Sequence, residues 1–424
     1  MSTPSRGAKP FPVPNATPSY WRKDVGAIDN HRSTETLPAT SDVVIIGAGY
    51  VGASVAHHLV EESGSRGGAV PSILILEARE ACSGRRGEML RLKRAKWPQS
   101  ESLLSVIAGR DKMKADIDSI VAADISTARG IKFSIDAEAE ERSGVRGALS
   151  CHTYHAARLW PYRLVVHLLK KAISNGVNLQ THTPVTSVSQ QSTSSADRYW
   201  IVDTPRGSIR AKTVVYATNG YTSALVPEMK DKIVPVRGVV ARLVGGKAPK
   251  MTDSYMMRIS DYEYDYMIPR PDGSIILGGA KRDFYKNLHE WFDVADDSQL
   301  TKDARRYFDG YMQRHFYGWE DSGARTQEIW TGIMGYSNDG FPYVGPVCDR
   351  PGQYLCAGFN GHGMPQIFLS AKAIATMIVK GNAEDIDLPV PYRISPDRWY
   401  EPKEHASLKS WQAYTEGETA RAKL

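Results

Sequence analysis

The sequence predicts an α/β fold, in which a parallel-sheet domain of β-α-β type, built from discontinuous segments, carries an inserted sheet-rich α+β domain. Three observations predict it. Asp42-Val43-Val44-Ile45-Ile46 is a continuous apolar run of the kind buried on both faces of a parallel sheet. Gly47-Ala48-Gly49-Tyr50-Val51-Gly52 follows at once and opens a helix-like stretch to Glu62. Further glycine loops recur far downstream, at Ala217 to Gly220 and Gly358 to Gly363, separated by a region of different composition.

Residues 1–40 read as an irregular arm, because Pro10, Pro12, Pro14 and Pro18 forbid regular helix there. The first β-α-β unit closes with a strand from Ile73 to Leu76, ending at Glu77. Residues 98–150 read as polar and helix-like. A helix starting at Leu159 to Pro161 carries Leu164, Val165, Leu168, Leu169 and Ile173 at helical spacing, with Gly176 suited to its C-terminal cap. Short strands are expected at 177–180 and 185–188, with a hairpin of 199–203 and 208–212 around Pro205-Arg206-Gly207. Residues 214–220 read as a strand entering a glycine turn. The stretch 223–324 is rich in Tyr, Trp, Asp and Arg, with strands at 233–243 and 274–277 and a helix over 296–314. Glycine-rich loops at 330–345 and 358–363 and a helix over 365–380 complete the pattern. The expected domains are 41–97, 151–222 and 325–385 for the parallel-sheet domain, 98–150 and 223–324 for the insertion, and 386–424 for a C-terminal tail.

Composition narrows the function classes. The 424 residues carry a formal charge of +6, too small and dispersed to argue for nucleic acid. The four cysteines show no metal-binding spacing and no disulfide-like density, which fits a reducing compartment. The most apolar stretch, 43–60, contains three glycines and His57-His58, so it reads as strand–turn–helix, with no membrane span expected. Ala422-Lys423-Leu424 is a variant of the Ser-Lys-Leu peroxisomal address, so an import receptor is an expected partner and the peroxisome the expected location, with the cytoplasm as the alternative.

The chemistry rests on Gly47-x-Gly49-x-x-Gly52 between strand and helix. Glycines there permit a tight turn, close approach of the backbone to a pyrophosphate, and close helix packing. The helix N-terminus favours the phosphate charge. Glu77, ending the second strand, suits the ribose hydroxyls. This is a Rossmann-like dinucleotide site. The loop Gly358-Phe359-Asn360-Gly361-His362-Gly363-Met364 precedes a helix whose N-terminus would stabilise negative charge on a reduced flavin ring.

Gly47 to Gly52, Glu77, Ala217 to Gly220, Asp339 to Gly345 and Gly358 to Met364 stand in the order seen in the FAD-dependent D-amino-acid oxidase and sarcosine oxidase superfamily. The chain resembles that superfamily over most of 41–385 and is similar to fungal members of it. The resemblance implies a glutathione-reductase-type FAD domain with an inserted substrate domain, and oxidation of a C–N bond of an amine or amino-acid-like substrate, with oxygen reoxidising the flavin to give peroxide. It implies cofactor contacts from Gly47, Gly49, Tyr50, Val51, Gly52, Glu77, Ala78, Arg79 near the ribose, Ser83, Val185 at the adenine, Ala217, Thr218, Gly220, Gly358, Asn360, Gly361, His362, Gly363 and Met364.

Three departures qualify what the resemblance implies. Cys82 to Arg94 matches neither of two family patterns in full, although Arg91 and Arg94 are placed like the paired arginines of the sarcosine oxidases. The loop 331–338 lacks the cysteine that tethers flavin in those enzymes, so FAD is expected to be non-covalent. Pro365 stands where they have a carboxylate-binding lysine.

The candidate catalytic residues are Arg91, His362, Tyr266 and Trp330. His362 either lines the active site or caps a helix. Tyr262, Tyr264 and Tyr266 alternate on one strand face, lining a pocket or only a sheet surface. Trp330 either walls the flavin pocket or belongs to the core. The alternatives to an oxidase are a flavin dehydrogenase with another acceptor, a nicotinamide-only enzyme, and a non-catalytic descendant.

Overall fold

A computed structural model describes residues 10–23, 26–65, 67–83, 101–107, 131–191, 199–247, 249–259 and 263–421. Arg91, Tyr262 and Ala422-Lys423-Leu424 lie outside the described residues. Two sheets organise the described residues.

In the first sheet, β1 (Thr40–Ile46) pairs in parallel with β2 (Ile73–Leu76) and with β9 (Gly207–Tyr216). β6 (Asn178–Gln180) extends it in parallel beyond β2, and β16 (Gln353–Ala357) beyond β9. β15 (Tyr343–Pro346) closes that edge antiparallel to β16. Alternate residues of one strand feed different cores, which is why the runs read as continuously apolar. Val43 and Ile45, with Ile73 and Ile75, pack under α1 (Tyr50–Ser65), α3 (Pro161–Ser174) and α4 (Ile367–Lys380). Val44, Ile46, Leu74 and Leu76 face the opposite way, toward Trp200, Tyr216, Met229 and Trp399. β9 is one continuous strand whose first half pairs antiparallel with β8 (Tyr199–Thr204) around Pro205-Arg206, while its second half pairs in parallel with β1. β7 (Ser187–Gln191) extends that hairpin.

The second sheet runs β14-β10-β13-β12-β11-β3-β5-β4. Its long members are β10 (Ile233–Val244) and β14 (Arg325–Ser337), antiparallel with a register shift at Arg242/Leu243. β13 (Ile275–Gly279), β12 (Tyr264–Pro269) and β11 (Ser254–Arg258) follow, then β3 (Glu101–Ile107), β5 (Ser150–Ala156) and β4 (Lys132–Ile135). Its core gathers Val236, Met267, Leu277, Phe308, Tyr311 and Phe316.

Local reading of the sequence misplaced three regions. The stretch 98–150 is not mainly helical where described: it supplies β3, β4 and β5 and one helix, α2 (Asp136–Ser143). β3 is a strand because β11 and β5 offer it partners on both edges, a tertiary effect that outweighs local propensity. The expected helix over 296–314 reduces to two five-residue helices, Ala304–Phe308 and Tyr311–His315, broken by extended Asp309 and left-handed Gly310. The glycine-rich stretch from Trp330 is strand as far as Ser337, not loop. The C-terminal tail, where described to residue 421, packs on the rest of the chain. Arg398 Nε donates to Asp339 Oδ2 at 2.8 Å, Trp399 is buried, and α5 (Ala406–Arg421) lays Trp411 and Tyr414 on the second core.

Candidate cofactor and active site

The carboxyl ends of the parallel strands converge on one cavity of about 250 Å³. That is where open α/β sheets place their ligands. Each wall follows a strand: Ile46, Gly47 and Gly49 after β1; Leu76 to Arg79 after β2; Pro184 and Val185 after β6; Ala217 to Tyr221 after β9; Phe359 to Met364 after β16.

The three glycines of the first turn have separate tasks. Gly47 sits at φ +110°, and a Cβ on it would stand 2.7 Å from the carbonyl oxygen of Ala217. A Cβ on Gly52 would stand 1.9 Å from the Gly47 carbonyl oxygen, so Gly52 sets how closely α1 seats on the turn. Gly49 has nothing within 4 Å of its Cβ position and borders the cavity. Its backbone is therefore open to whatever the cavity holds, and the first N–H groups of α1 follow directly.

The Glu77 carboxylate is buried at the rim and accepts from Ala48 N (2.8 Å) and Arg79 N (3.0 Å). A carboxylate has about four lone-pair sites. Two are used here, so acceptor capacity for a ribose hydroxyl remains. Arg79 lines the same wall, but its guanidinium is committed elsewhere. Nη1 reaches Asp297 Oδ1 at 2.9 Å and the Val13 carbonyl at 3.2 Å, and Nε donates to Ser83 Oγ at 3.3 Å. The Tyr221 hydroxyl is buried beside Arg79 without a well-formed hydrogen bond among the described residues.

At the other end, two glycine loops and the end of β14 are held together by two asparagines in the left-handed region. Asn219, at φ +44°, accepts from Gly358 N at 3.1 Å. Asn360, at φ +54°, accepts from Ser337 N at 2.8 Å and donates to the Gly358 carbonyl at 2.8 Å. Gly335 fits because a Cβ there would stand 2.6 Å from Asn219 Oδ1. Gly363 and Met364 then lead the chain into α4 with Ile367 at the cavity wall.

A second, smaller cavity of about 20 Å³ lies in the inserted domain, walled by Tyr264, Tyr266, Phe284, Trp291 and Tyr336 among others. Met334 lines both cavities and is their shared partition.

Of the residues singled out in the sequence, the structure places Gly47, Gly49, Tyr50, Val51, Glu77, Ala78, Arg79, Ser83, Val185, Ala217, Thr218, Gly220, Gly361, Gly363 and Met364 on the large cavity. Gly52, Gly358 and Asn360 stand behind that lining and shape it. Tyr266 faces the second cavity. His362 is exposed, its Nδ1 paired with the Asn360 carbonyl at 2.9 Å, and does not line either cavity. Trp330 is fully buried in the core opposite Val240, also away from both. Local reading missed Phe11 and Pro12 from the arm, Pro184, Tyr221, and Ile333 and Met334 of β14. Tyr221 was legible as the residue after a glycine turn. The others carry no local signal, because only packing brings them to the cavity.

The residues present fit a dinucleotide: an open glycine backbone at a helix start, a rim carboxylate with spare acceptor capacity, and a tyrosine hydroxyl buried beside Arg79 without a well-formed hydrogen bond among the described residues. No cysteine or histidine lines the large cavity among the described residues. Burial pushes the neighbouring Cys82 thiol up to about 12. No group of metal-ligating side chains is found among the described residues, and none of their helices is long and apolar enough to cross a membrane.

Comparison with known proteins gives the same answer. The glycine oxidase of Pseudomonas aeruginosa is 26% identical over 198 residues, 46% of this chain and 49% of that one. The glycine oxidase of Pseudomonas putida is 23% identical over 216 residues, 51% and 53% of the two chains. The chain thus spans about half the length of the curated relatives it matches. Among solved structures, glycine oxidase from Geobacillus kaustophilus superposes with a TM-score of 0.67 at 17% identity, over 85% of this chain and 99% of that one. L-proline dehydrogenase from P. horikoshii follows at 0.65 and 19%, over 82% and 96%. These likenesses show the fold, with its parallel sheet and added sheet-rich domain. Residues 42–377 match the model of the FAD dependent oxidoreductase family, and the chain belongs to that family.

Proposed function

We propose that this protein oxidises the C–N bond of an amine or amino-acid-like substrate, with FAD held non-covalently in the large cavity and oxygen as final acceptor, giving peroxide. The observation that carries the proposal is the adjacency of the two cavities. The glycine-lined dinucleotide cavity and the aromatic chamber share Met334 as a wall. At about 20 Å³ the chamber has room for about one water, so a small substrate would lie on the cofactor-cavity side of Met334, near Gly361, Gly363 and Met364, with the aromatic side chains behind it. When bound, FAD supplies a two-electron acceptor for the substrate carbon.

The chain's residues supply position and electrostatics. The backbone at Gly47, Gly49 and the start of α1 would hold the pyrophosphate, and the remaining lone pairs of Glu77 would accept from ribose hydroxyls. Tyr264, Tyr266, Trp291 and Tyr336 would form an aromatic wall beyond Met334 on the substrate side. Arg91 is proposed as a substrate-side cation from its sequence context alone. The glycine oxidase, L-proline dehydrogenase and L-amino acid deaminase names of the similar proteins agree with an amino-acid-like substrate.

The test is an absorption spectrum before and after acid precipitation, followed by a screen of amines and amino acids for peroxide release. Two flavin bands, with the pigment left in the supernatant and peroxide formed with at least one amine, are expected. Protein that takes up no added FAD overturns the reading. Dye reduction by an amine without peroxide overturns oxygen as acceptor and makes the protein a dehydrogenase.

A further inference from the structure

The family match begins at residue 42, yet the arm before it forms part of the large cavity. Phe11 and Pro12 line it, and Phe11 packs against the apolar core that includes Val185 and Leu225. A neighbouring groove is lined by Phe11, Pro12, Pro14 and Asn15 together with Ala78, Arg79 and Val185. The two spaces meet at Phe11, Pro12, Arg79 and Val185, so the arm separates the cavity from the outside on this side. This is the end marked by Glu77, where an adenosine would lie.

The arm is anchored on both flanks of the cavity. Arg79 Nη1 donates to the Val13 carbonyl at 3.2 Å and pairs with Asp297 at 2.9 Å. Thr17 N donates to the Asp297 carbonyl at 2.8 Å, and Thr331 N donates to Thr17 Oγ1 at 2.9 Å. Farther along, Trp160 Nε1 donates to the Trp21 carbonyl at 2.6 Å, and Tyr20 and Trp21 are buried. Pro10, Pro12, Pro14 and Pro18 restrict the free arm, so fixing it costs little further entropy.

We propose that residues 10–22 are a strap that completes the adenosine end of the FAD site, with Phe11 against the adenosine half of the cofactor. Arg79 is a positioning residue: it ties strap, dinucleotide loop and inserted domain together through Asp297. The proposal rests on FAD occupying the large cavity and adds a cofactor-retaining element outside the family segment.

The experiment compares the wild-type full chain with Phe11→Ala and with a chain lacking residues 1–12, which keeps the Thr17 and Trp21 anchors. Flavin fluorescence titration gives the Kd for FAD and for FMN, which lacks the adenosine, and apo-protein unfolding is followed in urea. Both variants are expected to weaken FAD binding by about tenfold or more while FMN binding stays at the wild-type value and the apo-protein still unfolds cooperatively, its midpoint lowered only slightly by the loss of the partly buried Phe11 ring. FAD affinity unchanged in both variants overturns the strap, as does equal weakening of FAD and FMN. Wild-type protein that binds no FAD overturns the cavity assignment itself, an outcome distinct from wild type binding FAD with the variants its equal.

Discussion

Two alanine substitutions in one turn, Gly49→Ala and Gly52→Ala, should fail in different ways. At Gly52 the new Cβ would stand 1.9 Å from the Gly47 carbonyl oxygen and 3.3 Å from Ile45 Cγ2, where real Cβ contacts are essentially never under 3.0 Å. The start of α1 must retreat by roughly 1 Å from a turn pinned by Gly47 N to the Leu76 carbonyl at 2.8 Å. Overpacking of this kind costs about 3 kcal/mol before any cofactor is present. At Gly49 the Cβ meets no atom within 4 Å, and the residue does not have positive φ, so apo stability should change by no more than about 1 kcal/mol. That Cβ instead occupies space facing the pyrophosphate, and a clash there of about 1–3 kcal/mol weakens FAD roughly ten- to hundredfold. Urea unfolding of apo-protein and fluorescence titration with FAD measure the two effects separately. Gly49→Ala binding FAD like wild type, or Gly52→Ala apo-protein unfolding at the wild-type midpoint, would refute the division of labour among these glycines.

Three further outcomes follow from particular contacts. Asp297→Ala leaves the buried Arg79 guanidinium without its carboxylate, and should lower unfolding free energy by about 3–5 kcal/mol, measured by denaturant unfolding. Asn219→Ala leaves Gly358 N without its acceptor, and should cost about 1–2 kcal/mol while shifting the visible spectrum of bound flavin, since it loosens the loop pairing at that end. Burial holds His58 down to about 4 from an ordinary 6.5. Between those values the unfolded chain binds the proton and the folded one does not, so stability is full above about 6.5 and falls as pH drops toward 4. The loss at pH 5 should be about 2 kcal/mol against pH 7, and a His58→Gln variant, followed by urea unfolding at both values, should show a correspondingly flatter dependence.

Much of the parallel-sheet domain was legible because its signals are local. An apolar run with both faces buried, a glycine triad whose spacing serves one turn, and an acid at the end of the next strand are each readable within a few residues. The same holds for α3, whose Val165, Leu168, Leu169 and Ala172 are all buried on one stripe. The sequence by itself therefore determined the dinucleotide turn, the rim carboxylate and the order of the glycine loops. What the tertiary structure alone decided is where non-local partners fall. β3 is a strand through its neighbours, Arg79 turns to Asp297 more than two hundred residues away, His362 points outward, Trp330 is sunk in the core, and Phe11 returns from the arm to close a cavity. The physical reason is that backbone conformation is constrained by adjacent residues, whereas the direction of a side chain at a site depends on which buried charges and apolar surfaces the finished packing brings beside it.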